Sequence, residues 1–312
     1  MPDRPLRLGT RRSPLAMAQA HEARDRLQAA HPDLAIEIVP VLASGDKVQD
    51  RPLAEIGGKA LWTKELDAWL LAGEIDLAVH SAKDVETLRP AEIAITAVLP
   101  RADVRDVLVL RQAQDERGLS GLAALPPGAR IGTSAPRRAA QALHARPDCR
   151  IVLFRGNVAT RLGKLEAGEA DATLLAAAGL ERLGETGIGT PLDPLDWLPA
   201  PGQGAIAIEC RARDAVTRDL VAAIDHGPSH SALQAERGLL AALGGNCHSP
   251  IAALTEHGDN ALLLRAALFS PDGAHRVDGA LSFPPGDPQG PVRLARQLLD
   301  AAPPAVREHF AG

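Results

Sequence analysis

Apolar and polar residues alternate along "LRLGT" (residues 6–10), then switch to a helical period in "LAMAQAHEARDRLQAA" (15–30), with Arg11-Arg12-Ser13-Pro14 between. A period of two marks a half-buried strand, and one near 3.6 marks an amphipathic helix. Ser13 before Pro14 is a helix start: a capping hydroxyl, then a proline whose missing N–H is not needed in the first turn. The same reading gives a strand in "AIEIVPVL" (35–42), a loop "ASGDKVQDRPLAEIGGKALW", a helix "TKELDAWLLAG" (63–73) stopped by Gly73, and a strand "EIDLAVHSAKDV" (74–85) running into a polar turn.

The layout then recurs. "ARIGTSAPRRAAQALHA" (129–145) is strand, Gly-Thr, proline-started helix and paired arginines, as Gly9-Thr10 precedes Arg11-Arg12. "CRIVLFRGNVATRLGKLEAGEADATLLAAAG" (149–179) is strand, arginine-rich turn, helix, glycine stop and strand, and its "AGEADA" echoes "AGEIDL" at 72–77. Strands alternating with helices predict α/β units. The expected fold is therefore two α/β lobes with mixed, mostly parallel sheets facing each other over a cleft. "LPAPGQGAIAIECRA" (198–212) reads as the return crossing between the lobes. After His226-Gly227-Pro228 come a helix, short strands joined by Gly/Asp turns and a last helix, which predict a small α+β domain. The expected division is 1–99 with 205–224, then 105–199, then 228–312.

Composition supports a chain with a full core: 312 residues, 46% hydrophobic and 23% charged. No apolar run reaches the ~18 residues of a membrane helix, and the N-terminal stretch is not signal-like, so the expectation is a cytoplasmic protein with no membrane partner. A net charge of −5 speaks against nucleic acid. The three cysteines, Cys149, Cys210 and Cys247, form no C-x-x-C pair, which argues against a disulfide framework and a zinc site.

Charge placement is more informative than charge total. Arg137 and Arg138 fall in the first turn of a helix, where the macrodipole opposes cations. The free N–H groups there suit an anion, and arginine adds bidentate binding of carboxylate or phosphate. Arg11-Arg12, and Arg155 with Arg161 around Gly156-Asn157, repeat the arrangement at strand-to-helix turns, where open α/β sheets bind ligands. A polyanion is the expected ligand. Neither G-x-x-x-x-G-K-[ST] nor G-x-G-x-x-G is present, so a carboxylate-rich molecule is preferred to a nucleotide.

"HSAKDV" puts Ser81, Lys83 and Asp84 just past a strand end, and Asp84 is the obvious carboxylate for acid–base work or for holding a developing cation. Alone, such a Lys-Asp pair is more often a surface ion pair or turn. "LGGNCHSP" places Cys247 beside Gly244-Gly245, a backbone able to close over a bound group. The residues alone leave open whether Cys247 is a nucleophile or covalent anchor or a small structural side chain.

Together, "LRLGTRRSPLAMAQA", "GGKALWTKEL", "DLAVHSAKDV", "IGTSAPRRAAQ", "RGNVATRLGKL", "LPAPGQGAIAIEC" and "GGNCHSP" resemble the porphobilinogen deaminase family. The resemblance implies a monomeric transferase of tetrapyrrole and haem biosynthesis, with two periplasmic-binding-protein-like lobes and a third domain. It would join four porphobilinogen molecules head to tail, releasing ammonia each time, onto a dipyrromethane cofactor held by a thioether at Cys247, and then hydrolyse off the linear tetrapyrrole. It implies Asp84 as the catalytic aspartate that steadies a positively charged azafulvene. It implies Ser81, Lys83, Thr133, Ser134, Arg137 and Arg138 as holders of cofactor carboxylates. Arg11, Ser13, Gln19, Arg155, Arg161 and Arg182 would bind substrate or growing chain, and Lys59 and Trp62 would belong to a loop over the cleft. Ala135-Pro136 departs from the family's frequent Ser-Leu, and Trp62 from its Phe. Every ring brings an acetate and a propionate, which gives the arginines a purpose.

Two other functions fit parts of the pattern. A non-catalytic binding module could hold a carboxylate between the lobes, although it would not need a cysteine-bearing third domain. A cysteine-dependent hydrolase or acyltransferase could use Cys247, although His248 is poorly placed as its base, which leaves His80, His226 and His230 as candidates.

Overall fold

A computed structural model describes residues 4–41, 63–111, 121–246 and 248–310. In the first sheet β1 (Leu6–Arg11) pairs in parallel with β2 (Ile36–Val41) and with β3 (Leu77–Ser81). β10 (Ile206–Arg211) runs antiparallel between β3 and β4 (Ile93–Val98), giving the order β2-β1-β3-β10-β4. The second sheet repeats this plan: β6 (Arg130–Gly132) is parallel to β7 (Arg150–Val152) and β8 (Ala172–Ala176), while β5 (Asp106–Leu110) is antiparallel to β8 and β9 (Thr190–Pro191). The fold is thus α/β with mixed sheets. Two of the four pairings in each sheet are parallel, fewer than the sequence pattern suggests, because a strand arriving from the other lobe inserts antiparallel next to the third strand.

The repeat extends to individual hydrogen bonds. Arg7 N donates to Asp76 Oδ2 at 2.9 Å and Asp76 N to Arg7 O at 2.8 Å. In the other lobe Arg130 N donates to Asp171 Oδ2, and Asp171 N to Arg130 O, both at 2.8 Å. The guanidinium of Arg7 also reaches Gly73 O, as that of Arg130 reaches Gly168 O. Those two glycines end α2 (Lys64–Ala72) and the segment after α4 (Val158–Glu166) at φ +73° and +77°, the left-handed region that glycine adopts at least cost. "AGEIDL" and "AGEADA" are therefore the same structural joint.

In each lobe a helix starts as its sequence predicts. α1 (Pro14–Ala30) is capped by Ser13, whose side chain accepts from Ala16 N. α3 (Pro136–Ala145) also has proline in its first turn, but its cap, Ala135, offers no side-chain bond, and Thr133 Oγ1 takes the Ala135 N–H at 3.1 Å instead.

Two crossings join the lobes side by side, with Leu99 N to Ile206 O at 3.1 Å and Ala102 N to Gly204 O at 3.2 Å. After the return crossing, α6 (Ala215–Ala222), capped by Asp214, adds Val221 to the core of the first lobe. Buried Glu236, on α7 (Gly227–Ala242), fastens both crossings: it accepts from Arg101 at 2.7 Å, from Gly202 N at 2.6 Å and from Thr255 N at 2.8 Å. Thr255 belongs to β11 (Ile251–His257), which with β12 (Leu262–Phe269) and β13 (Arg276–Phe283) forms an antiparallel sheet. One face of that sheet lies on α7 and α8 (Gln289–Ala301), through Leu239, Leu264, Leu294 and Leu298. The other, through Ala252, Leu254, Ala267 and Phe269, lies on Ala140 and Leu198 of the second lobe. These contacts fix where the loop after α7 meets the lobes.

Candidate active site

The turns that follow β1, β3, β6, β7 and β8 open onto one cavity of about 770 Å³, whose remaining wall is the return crossing at Ala200, Pro201 and Gln203, then α7, then Asn246, Ser249 and Ile251. Among the described residues its lining carries eight cationic side chains, including Arg11, Arg12, Lys83, Arg155 and Arg161, against two carboxylates, Asp84 and Glu185. In a chain of net charge −5, that concentration of positive charge marks an anion site.

Arg137 and Arg138, each 5% exposed, reach the cavity wall from the first turn of α3. The macrodipole cost anticipated for them is offset by a residue the sequence did not single out. Asp106, fully buried at the start of β5, meets Arg137 Nη2 at 2.8 Å and Arg138 Nη2 at 2.7 Å. Trp197 Nε1 and Gln203 Nε2 also donate to it, at 2.8 and 2.9 Å. Burial alone would raise the Asp106 acid, but the two guanidiniums hold it far below the ordinary carboxylate range. Gln203 also receives Lys83 Nζ at 3.3 Å.

Lys83 and Arg161 are crowded by like charge. Lys83 is pushed down to about 8 by burial and by Arg138, with Asp84 and Asp106 pulling the other way. Arg161 is pushed down to about 10 by burial and by Arg138. Arg138 Nε is buried without a hydrogen-bond partner among the described residues. Asn157 caps α4 by accepting from Thr160 N at 2.9 Å, and Arg161 Nε is anchored on Gly156 O at 3.0 Å, which sets its head toward the cavity beside Arg155. A ligand bearing several carboxylates matches this wall: its negative charge would move the depressed cations back toward their ordinary values.

Asp84 ends a single 3-10 turn, Ala82–Asp84, directly after β3. It faces the large cavity and also a smaller one of about 40 Å³ shared with Arg11, Ser13, Gln19 and Ser81. Gln19, buried on α1, bonds Ser81 Oγ at 2.8 Å across that smaller space. Ser134 lines the large cavity, whereas buried Thr133 stands behind it. Arg182 is off the cavity lining: on α5 (Ala177–Arg182), it reaches Glu22 of α1 at 3.4 Å and Gly204 O at 3.1 Å, bridging the lobes.

Lys59, Trp62 and Cys247 lie outside the described residues. Asn246 and Ser249, on either side of Cys247 in sequence, line the cavity. Arg237 of α7 was not singled out by the sequence. It lines the cavity and grips the chain just after Asp84, donating to Val85 O at 3.3 Å, Glu86 O at 2.6 Å and Thr87 O at 3.0 Å. Its only signal was one arginine within an apolar helix. Gln203 was inside the segment read as the return crossing, and Asp106 was one acid at a strand start.

Two family models match the chain: "Porphobilinogen deaminase, dipyromethane cofactor binding domain" over residues 6–219, and "Porphobilinogen deaminase, C-terminal domain" over 231–298. The porphobilinogen deaminase of Sphingopyxis alaskensis is 59% identical over 99% of this chain and 98% of its own length. That of Paracoccus denitrificans is 47% identical over 97% and 96%. Among solved structures, the periplasmic aliphatic sulphonate binding protein SsuA from Escherichia coli is similar at 15% identity and a TM-score of 0.43, covering 77% of this chain and 70% of that one. The BvgS periplasmic VFT2 domain of Bordetella pertussis is similar at 15% identity and 0.42, covering 70% and 86%. Among the described residues no helix is long and apolar enough to cross a membrane. With both family models and full-length relatives in agreement over a cavity walled by arginines, the chain belongs to the porphobilinogen deaminase family of transferases, and its residues 6–219 are that family's dipyrromethane-binding part.

Proposed function

We propose that this chain is a cytoplasmic, monomeric hydroxymethylbilane synthase, divided at 1–99 with 205–224, 105–199 and 228–312. It condenses four porphobilinogen molecules with loss of ammonia, on a dipyrromethane held by a thioether at Cys247, and then releases the linear tetrapyrrole by hydrolysis. The observation that carries the reading is the cavity itself: eight cations and two carboxylates among the described residues between the lobes, with the flanks of Cys247 on its wall.

When bound, the dipyrromethane supplies the primer that the first substrate ring extends. Arg137, Arg138, Lys83 and Ser134 hold its carboxylates, with Ser81 and Thr133 fixing the turns from which those residues project. Arg11, Ser13 and Gln19, grouped at the smaller cavity, orient porphobilinogen. Arg155 and Arg161 take the carboxylates of the lengthening chain, and Arg182 sets the spacing of the lobes through Glu22. Lys59 and Trp62 belong to a loop over the cleft.

Asp84 supports the chemistry. Its carboxylate stands at the junction of the two cavities, where it accepts from pyrrole N–H groups and opposes the positive charge that grows on the substrate ring as its amine departs with a proton. A fixed carboxylate stabilises such a charge without having to reorganise as it forms.

The deciding experiment is the intact mass of purified protein. An excess equal to two condensed pyrrole units is expected, abolished in Cys247→Ser and Cys247→Ala. Active protein with an unmodified Cys247 overturns the assignment.

A further inference from the structure

We propose that Asp106 is the positioning residue of the anion cleft: a buried carboxylate that sets the orientation of Arg137 and Arg138 and leaves their pair with one surplus positive charge facing the ligand. The proposal rests on the reading that those arginines hold the cofactor's carboxylates.

Asp106 is 0% exposed and absent from the cavity lining, so it does not itself meet ligand. Four donors saturate it: Arg138 Nη2 and Gln203 Nε2 on Oδ1, Arg137 Nη2 and Trp197 Nε1 on Oδ2. A second bond to a backbone carbonyl fixes each guanidinium plane, Arg137 Nη1 to Leu198 O at 3.0 Å and Arg138 Nη1 to Leu174 O at 2.9 Å. Those bonds leave both side chains lining the cavity, and among the described residues the buried Nε of Arg138 has no hydrogen-bond partner. An ion pair needed only to fasten β5 to α3 would match one acid with one base. Here one acid serves two bases, and through Gln203 it also touches the environment of a third, Lys83. Full neutralisation would leave no attraction for a carboxylate, and no neutralisation would leave two buried like charges repelling each other.

The test compares wild type, Asp106→Asn and Asp106→Glu as purified proteins, by intact mass and by steady-state kinetics. Asp106→Asn keeps the size and one acceptor oxygen but removes the charge. The expected result is a fall of about tenfold or more in the fraction of folded chains carrying the cofactor mass. In the chains that carry it, kcat should fall about 100-fold while KM for porphobilinogen holds, the effect of misplacing an anchor by about an ångström. Asp106→Glu should recover part of both. Folded Asp106→Asn protein with wild-type loading and kcat overturns the proposal. Should Asp106→Asn not fold, Trp197→Phe decides: it keeps all charges and deletes one donor to Oδ2, and unchanged loading and kcat in that variant overturn the proposal equally. If wild-type protein itself shows no added mass, the functional reading fails, and that outcome is distinct from any result on Asp106.

Discussion

Thr87 Oγ1 donates to Gly245 O at 2.9 Å, joining a residue three positions after Asp84 to one two positions before Cys247. Arg237 grips the same segment from the third sheet's helix by three carbonyls, Val85 to Thr87. The acid and the cysteine loop thus share one short strap, although they sit more than 150 residues apart in sequence. On the roles proposed for Asp84 and Cys247, a reaction repeated on a lengthening chain needs its acid fixed relative to the point of attachment, and the strap would supply that reference.

The role given to Asp84 predicts that Asp84→Ala folds normally and nearly stops turnover. Its side chain is half-buried at a cavity wall rather than in a core. Stability should therefore change by no more than about 0.5 kcal/mol. Loss of a group that opposes developing charge costs about 10²–10³ in kcat. Ammonia release in single turnover measures it, and near-wild-type release would reject the role.

Much of the fold was readable because one lobe plan is written twice in the chain. Gly-Thr, a proline-started helix, an Ala-Gly-Glu joint and a buried strand recur, and Arg7–Asp76 and Arg130–Asp171 show that the resemblance reaches single hydrogen bonds. The direction of β5 and β10 was not readable, since a strand's apolar pattern is the same whichever way it runs in the sheet. The arginines of the cleft were readable from their places at helix starts. Asp106 was not, because its meaning comes from Arg137, Arg138, Trp197 and Gln203, which lie between 31 and 97 positions away. Arg182 was read as a ligand contact, but the fold turns it toward Glu22, a pairing that needs two lobes to be placed first.

Arg155 and Arg161 follow the same turn, on β7's side of the cleft. If they receive the growing chain, Arg155→Leu and Arg161→Leu should load the cofactor normally but stall at intermediate lengths. Intact-mass spectra after limited substrate should then show accumulated enzyme-bound oligopyrroles absent from wild type. An unchanged ladder would remove both residues from that role. Removing one charge-assisted hydrogen bond to a carboxylate costs about 1.5–3 kcal/mol, enough for roughly 10–100-fold slower steps.

Lys83 gives the cleft a pH signature. The unfolded chain holds its proton up to the ordinary value of 10.5, whereas the folded chain without ligand releases it near 8, because burial and Arg138 disfavour the charge. Below about 8 both states are protonated and folding bears the full cost of the confined ammonium. Between 8 and 10.5 only the unfolded chain keeps the proton, so the cost persists in the proton that folding must expel and fades as pH rises. In a Cys247→Ser background, which on the proposed attachment lacks the cofactor, Lys83→Met should therefore stabilise the protein at pH 7 by about 1–3 kcal/mol, allowing for water at the cavity wall. The gain should vanish by about pH 10.5. In the cofactor-bearing protein, ligand carboxylates offset the crowding, and the gain at pH 7 should shrink or reverse. Denaturant midpoints at the two pH values measure all three quantities. A gain independent of pH, or equal with and without cofactor, would mean that the ammonium does not serve the anion.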